Sequence, residues 1–226
     1  MSVFVTILQS LVVVPLALLP VINPLSSAPV FVAMAGRSQE VARQLARQVA
    51  INAWYVIVAS MVVGVQVLNL FGLSLPIVRV AGGLLVAFTG WRMLNHSEQD
   101  EVQVAAAQKA GQLSEVEIVR RSFFPITFPL TTGPGTIAAA IALGSQTPRT
   151  PVQFAIGVVA AMAGAAVTSF ILYLTFKHAA PLLERLGEIG TLVLMRMMAF
   201  ILLCIGIQFI FTGWVELNAT LTNPPQ

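Results

Sequence analysis

The residues of this chain best suited to hold a small polar molecule come in two clusters. One is Asn23-Pro24-Leu25-Ser26-Ser27-Ala28-Pro29, and the other is Phe128-Pro129-Leu130-Thr131-Thr132-Gly133-Pro134-Gly135. The prolines remove backbone donors and disfavour helix at the preceding residue, so each cluster should break a helix. Past the break, Ser26 or Ser27, and likewise Thr131 or Thr132, can cap a new helix, with Pro29 or Pro134 tolerated in its first turn. Gly133 and Gly135 add conformational freedom and let a ligand approach the backbone. Two such helix N-termini offer free N–H groups, hydroxyls and partial positive charge, which suits a carboxylate. Carbonyls freed at the preceding helix ends suit an ammonium or a cation. A small zwitterion meets both demands. Asn23 stands in the first break and is expected to help with the ammonium; its counterpart Phe128 is apolar, so the two clusters differ in chemistry.

The clusters read as copies. Pro20, Pro24, Leu25 and Pro29 recur as Pro125, Pro129, Leu130 and Pro134 at a constant offset of 105, and Ser26-Ser27 becomes Thr131-Thr132. Further along, Arg79 and Leu85 recur as Arg196 and Leu202 at an offset of 117. A broken apolar helix repeated in two halves is the best sequence pointer to a transporter's binding site.

The elements that must carry these clusters are membrane helices. Of 226 residues 57% are hydrophobic and 9% charged, with a mean hydropathy of +0.87; a soluble domain carries roughly 25% charged residues. Six apolar segments are expected as spans: Val3 to Ala35 including the first break, Ile51 to Phe71, Pro76 to Leu94, Phe123 to Gly144 including the second, Val152 to Phe176, and Leu192 to Trp214. The first is 33 residues long, about 50 Å as a straight helix. A hydrocarbon core of about 30 Å forces it to bend, break or re-enter. The expected organisation is therefore all-α: residues 1–94 as one three-helix repeat, 95–121 as a cytoplasmic linker, 122–217 as a second, inverted repeat, and 218–226 as an external tail. Three spans per half make the second copy enter from the opposite side.

Basic residues set the orientation. Arg37, Arg43, Arg47, Arg92, Lys109, Arg120, Arg121, Lys177 and Arg185 fall on one side, and only Arg149 on the other. The positive-inside rule puts the nine in the cytoplasm and both termini outside. The net charge of +3 therefore speaks of membrane orientation, not of nucleic acid. The N-terminus lacks a basic stretch ahead of its apolar run, so that run is expected to stay in the mature protein. Cys204 excludes an internal disulfide and is expected to pack inertly.

Arg79 and Arg196 lie inside spans, where charge is costly. Each is expected either to snorkel or pair structurally, or to gate one mouth of a pathway. All nine acidic residues lie in loops or near span ends, so a deep proton-carrying carboxylate is missing. Coupling to Na⁺ through backbone carbonyls, to H⁺ by another route, or no coupling at all stays open. Asn52, Gln66, Thr168, Ser169 and Gln208 are expected to hydrogen-bond between helices, and His96 and His178 to lie at the interface. Ala160-Ala161 through Ala165-Ala166, and Ala81-Gly82-Gly83, offer faces for close packing within the chain or in a homo-oligomer. No phosphate loop, metal-ligand cluster or nucleophile–base pair points to an enzyme, a metal or a cofactor.

The runs Ile22 to Phe31, Pro129 to Ala138, Arg79 to Gly90 and Met198 to Phe211 together resemble the MarC family. The resemblance spans essentially the whole chain. It implies a six-span bacterial inner-membrane protein, and some relatives are regarded as transporters of glycine, alanine and similar neutral amino acids. Chemistry and resemblance thus lead to one expectation: a secondary transporter with a midplane site built from Asn23, Pro24, Ser26, Ser27, Thr131, Thr132, Gly133 and Gly135. A non-transporting scaffold or regulator, and a channel or efflux protein for another solute, are the alternatives.

Overall fold

The structure is a computed structural model that describes residues 3–36, 38–95, 115–145 and 151–222. Most of the expected linker and the last residues of the expected tail lie outside these, as do Arg37, His96, Lys109 and Arg149.

All described regular structure is helical. The elements are α1 (Val3–Ile22), α2 (Pro24–Ala35), α3 (Gln39–Leu70), α4 (Leu75–Asn95), α5 (Glu115–Arg121) with a wider π-type continuation Ser122–Thr131, α6 (Pro134–Gly144), α7 (Pro151–Lys177) and α8 (Ala179–Thr222). Four helices are long and apolar enough to cross a bilayer, and six spans result if each bent pair counts as one. The bent pairs fall where the proline clusters predict them: α1 meets α2 at 60°, and α5 with its continuation meets α6 at 71°.

Local chemistry explains the other boundaries. The Ser38 hydroxyl caps α3 by accepting from Val41 N–H at 3.4 Å. Gly36 ends α2 at φ 69°, a left-handed value that glycine adopts without penalty. Gly187, at φ 66°, divides α8 into a short leading piece and a long apolar rod. That rod contains the segment expected from Leu192 to Trp214 and continues to Thr222.

Lipid tails are as apolar as leucine, so helices in a membrane associate through close backbone approach more than through hydrophobic burial. Glycine makes that approach here. A Cβ added at Gly83 would stand 2.8 Å from Gly206 O, and one at Gly213 would stand 2.8 Å from Pro76 O. One at Gly90 would meet Leu203 N at 2.6 Å, so α4 and α8 run antiparallel with their backbones nearly touching. The small-residue face of α7 serves the same purpose within the chain, where Gly164 lies against Ser10 and Val14 of α1. Gly82 meets Ala138 of α6.

The remaining packing has a reciprocal pattern. Helix α2 lies against α8 while α6 lies against α4, and α1 lies against α7 while α5 and its continuation lie against α3. The centre is filled by Leu18, Ile22, Phe31, Leu45, Ile57, Ile126 and Phe176. Phe31 and Phe176 stack at 4.7 Å. Large apolar side chains such as Leu16, Phe88, Trp91, Phe200 and Trp214 point outward, as befits a surface that faces lipid. Cys204 joins them on the exposed side, a correction to the packing role expected of it.

Candidate functional site: a cavity between two helix breaks

At the first break, Pro24 has no N–H and cannot bond back to Pro20 O. It also steers the preceding residue away from helix. Asn23 takes up the strain at φ 49°, ψ 61°, a left-handed conformation that asparagine tolerates better than most residues. Its own N–H still closes α1 on Leu19 O at 2.9 Å, and its carbonyl opens α2 by accepting from Ser27 N–H at 3.4 Å. The amides of Leu25 and Ser26 lie ahead of that first helical bond, as in any helix N-terminus.

The second break is longer. Phe124 and Phe128 are extended, at φ −121° in each case, ahead of Pro125 and Pro129, as residues before proline prefer. Both X–Pro bonds are cis. Gly133 is the N-cap of α6 and Pro134 its first residue. Ile137 N–H donates to Gly133 O at 3.0 Å, which leaves the amides of Gly135 and Thr136 in the open first turn.

The capping expectation needs correction at both places. The N-caps are Asn23 and Gly133, and neither makes a side-chain cap bond. Proline at the first helical position starts each helix earlier or later than a hydroxyl cap would, so Ser26 falls in the first turn of α2 and Pro29 inside the helix. Thr131 and Thr132 turn backwards instead: Thr132 donates to Thr127 O at 2.9 Å, and Thr131 shares its one proton between Thr127 O and Ile126 O, both at 3.0 Å. The structural register between the halves follows: Asn23-Pro24-Leu25-Ser26 corresponds to Gly133-Pro134-Gly135-Thr136, an offset of 110 (23 to 133) and not 105. The partner of Ser26 is Thr136.

Both breaks open on one cavity of about 500 Å³. Of the expected residues, Asn23, Ser26, Ser27, Thr131, Gly133 and Gly135 line it, whereas Pro24 and Thr132 do not. Thr136, Thr89 and Arg92 also line it, with an apolar flank that includes Leu85, Val86 and Leu202. Asn23 and Ser26 are each 6% exposed. Among the described residues, Asn23 Nδ2 and Ser26 Oγ have no hydrogen-bond partner. Leaving a buried polar group unpaired costs about 1–3 kcal/mol, so both atoms are poised to gain from a ligand. Ser27 donates to Asn23 O at 3.5 Å.

Three polar cavity residues escaped the sequence reading: Thr89, Arg92 and Thr136. Thr136 was hidden by the register difference, although the shared proline–X–hydroxyl spacing points to it. Arg92 counted only towards membrane orientation, yet Val86, Thr89 and Arg92–Met93 share a helical face at spacings of three and four. Its guanidinium lies 5.8 Å from the Phe88 ring centroid, a cation–π distance.

The arginines expected as a pair are unlike. Arg79 forms an ion pair with Glu216 across α4 and α8. Arg196 is exposed on α8. Neither lines the cavity. Asn52 bonds between helices as expected, donating to Ser122 Oγ at 3.2 Å, and accepts from Gln48 of its own helix at 3.5 Å, whereas Thr168 and Gln208 bond one turn away on their own helices. His178 is exposed at the end of α7, beside Leu174 O.

The fold and site thus describe an integral membrane protein, helical throughout its described regular structure, with a largely apolar cavity edged by polar groups where two bent helix pairs meet. Residues 8–217 match the family model described as MarC family integral membrane protein. The chain belongs to the MarC family and is a multi-pass inner-membrane protein. It is 35% identical over 209 residues to the "UPF0056 inner membrane protein MarC" of Citrobacter koseri, covering 90% of this chain and 93% of that one. The proteins of the same description from Salmonella typhimurium and Escherichia coli are each 34% identical over 208 residues, with the same coverage. No solved structure matches this chain.

Proposed function

We propose that this chain is a secondary transporter of small neutral amino acids, with its substrate held between the two helix breaks and its six spans arranged as two inverted three-helix repeats. One observation carries the reading: breaks from the two halves of the chain share a single cavity, and the first brings to it two buried polar atoms without partners. The first-turn amides of α2 and α6 suit the carboxylate, together with the unpaired Ser26 hydroxyl. Asn23 Nδ2 can only donate and so joins them at the carboxylate, while Asn23 Oδ1 at the other end of the same amide suits the ammonium.

Three features support the inverted arrangement. Bends of 60° and 71° leave each second half-helix advancing, whereas a re-entrant hairpin needs near reversal. Helices α2 and α6 are 12 and 11 residues long. The packing partners also interchange between halves, and α4 and α8 lie antiparallel as a two-fold axis in the membrane plane demands.

A cavity of about 500 Å³ is roomier than glycine or alanine requires. Selectivity for such substrates then rests on closure of the half-helices around them, as alternating access provides. The test is counterflow in proteoliposomes with labelled neutral amino acids of increasing size. Glycine and alanine should exchange fastest, and Asn23→Gly and Ser26→Ala should each slow exchange by about tenfold to a hundredfold. Correctly inserted protein that moves no amino acid overturns the transporter reading and favours a scaffold or regulator. Exchange that ignores both substitutions overturns the site.

A further inference from the structure

A second groove, of about 1020 Å³, lies between α3 and α7 and shares no lining residue with the cavity between the breaks. Trp54 Nε1 donates to Met162 O at 3.2 Å and sets the register of these two helices. Apart from Trp54 itself and Tyr55 just past it, the groove residues lie on one side of that bond, towards the start of α3 and the end of α7. Counting seven residues along each helix brings Arg47 level with Ser169, and eleven bring Arg43 level with Tyr173. Lys177, one turn further, lies over the Tyr173 ring at 5.7 Å. Positive charge therefore collects at one end, while Ile51, Tyr55 and Phe170 form an apolar wall below it.

Two details point to a ligand. Arg43 and Arg47 are exposed and, among the described residues, form no ion pair; the nearby Glu40 carboxylate accepts from Gln44 at 3.1 Å. Ser169 lines the groove, is 6% exposed, and its hydroxyl has no partner among the described residues. Thr168 and Thr175 on the same helix both donate to the carbonyl four residues back. From Glu40 to Tyr55 the groove follows α3 for 16 residues, about 22 Å at the helical rise. That is about one leaflet with its headgroup region.

We propose that this groove binds one anionic phospholipid of the leaflet on the arginine-rich side, which the charge bias puts in the cytoplasm. The phosphodiester sits against Arg43 and Arg47, whose forked guanidinium groups match phosphate oxygens. The Ser169 hydroxyl donates to an ester oxygen of the glycerol region, and one acyl chain lies along Ile51, Tyr55 and Phe170. The site is independent of the transport reading. Charge complementarity selects anionic over zwitterionic headgroups.

Native mass spectrometry of the purified full chain tests this, with phosphatidylglycerol and phosphatidylcholine of identical acyl chains. One phosphatidylglycerol should be retained, with about tenfold preference over phosphatidylcholine. The double substitution R43A/R47A should abolish the preference, the pair R43K/R47K should keep most of it, and Ser169→Ala should weaken retention about threefold. Ala166→Trp fills the groove without touching its charges and should exclude the lipid, which gives a second route if R43A/R47A does not fold. Water-soluble glycerophosphoglycerol should not compete. Equal retention of both lipids, a preference unchanged in R43A/R47A or Ala166→Trp, or full competition by the soluble headgroup overturns the proposal.

Discussion

The two helix breaks look alike in sequence and solve the same backbone problem in opposite ways. In the second, threonine hydroxyls replace the lost helical bonds: Thr127, Thr131, Thr132 and Thr136 each donate to the carbonyl five residues back, at 2.7, 3.0, 2.9 and 3.1 Å. A proline-rich stretch that would otherwise leave bare carbonyls at membrane depth is thereby stitched together. In the first break only Ser27 reaches back, weakly, and Asn23 Nδ2 and Ser26 Oγ stay unpaired. The bend is common to both while the side chains differ. The second break is braced by its threonines, and the first leaves two polar atoms without partners among the described residues.

That contrast can be broken most decisively at Asn23. Glycine fits its left-handed backbone, so Asn23→Gly should leave the melting midpoint almost unchanged while exchange falls by about tenfold to a hundredfold. Loss of fold without a specific loss of exchange would make the first break a brace as well. Next comes Gly135, whose counterpart Leu25 already carries a side chain. A Cβ on Gly135 would collide with Val86 of α4, so Gly135→Ala should cost about 1–3 kcal/mol of stability, read from thermal unfolding in detergent.

A smaller effect sharpens the comparison from the other side. Thr127 is fully buried, and Thr127→Val removes its bond to Ser122 O without changing its shape. The expected loss is about 1 kcal/mol, against no loss for Ser26→Ala. The least effect is expected at the ends of the paired helices. Arg79 and Glu216 are 16% and 37% exposed, and a partly solvated pair contributes about 0–1 kcal/mol. A double-mutant cycle with Arg79→Gln and Glu216→Gln should give a coupling in that range, while Arg196→Gln should be neutral for stability.

Composition, proline spacing and small-residue faces made the membrane class, the position of both breaks and the close packing of α7 legible from sequence alone. These signals are local and depend on residue type. What escaped depended on partners chosen in three dimensions. The offset of 105 aligned Ser26-Ser27 with Thr131-Thr132, but π-type winding shifts the second helix start by five residues and makes Thr136 the true counterpart. Thr132 therefore turned inward to Thr127 instead of facing the cavity. Arg92 was read as a charge at a helix end because nothing in a single sequence says which face of α4 another helix leaves open. The pairing of Arg79 with Glu216 required knowing that the two helices run side by side in opposite directions.

That antiparallel contact has a mechanical meaning. Where Gly83 and Gly90 meet the backbone of α8, and Gly213 meets that of α4, there are few side-chain knobs to lock the rods in one position. Interdigitated side chains resist sliding, whereas bare backbone surfaces can shear past each other by an ångström or two at little cost. One rod belongs to each half of the molecule. If the proposed alternating access moves one half against the other, the glycine track is the contact along which the two would slide.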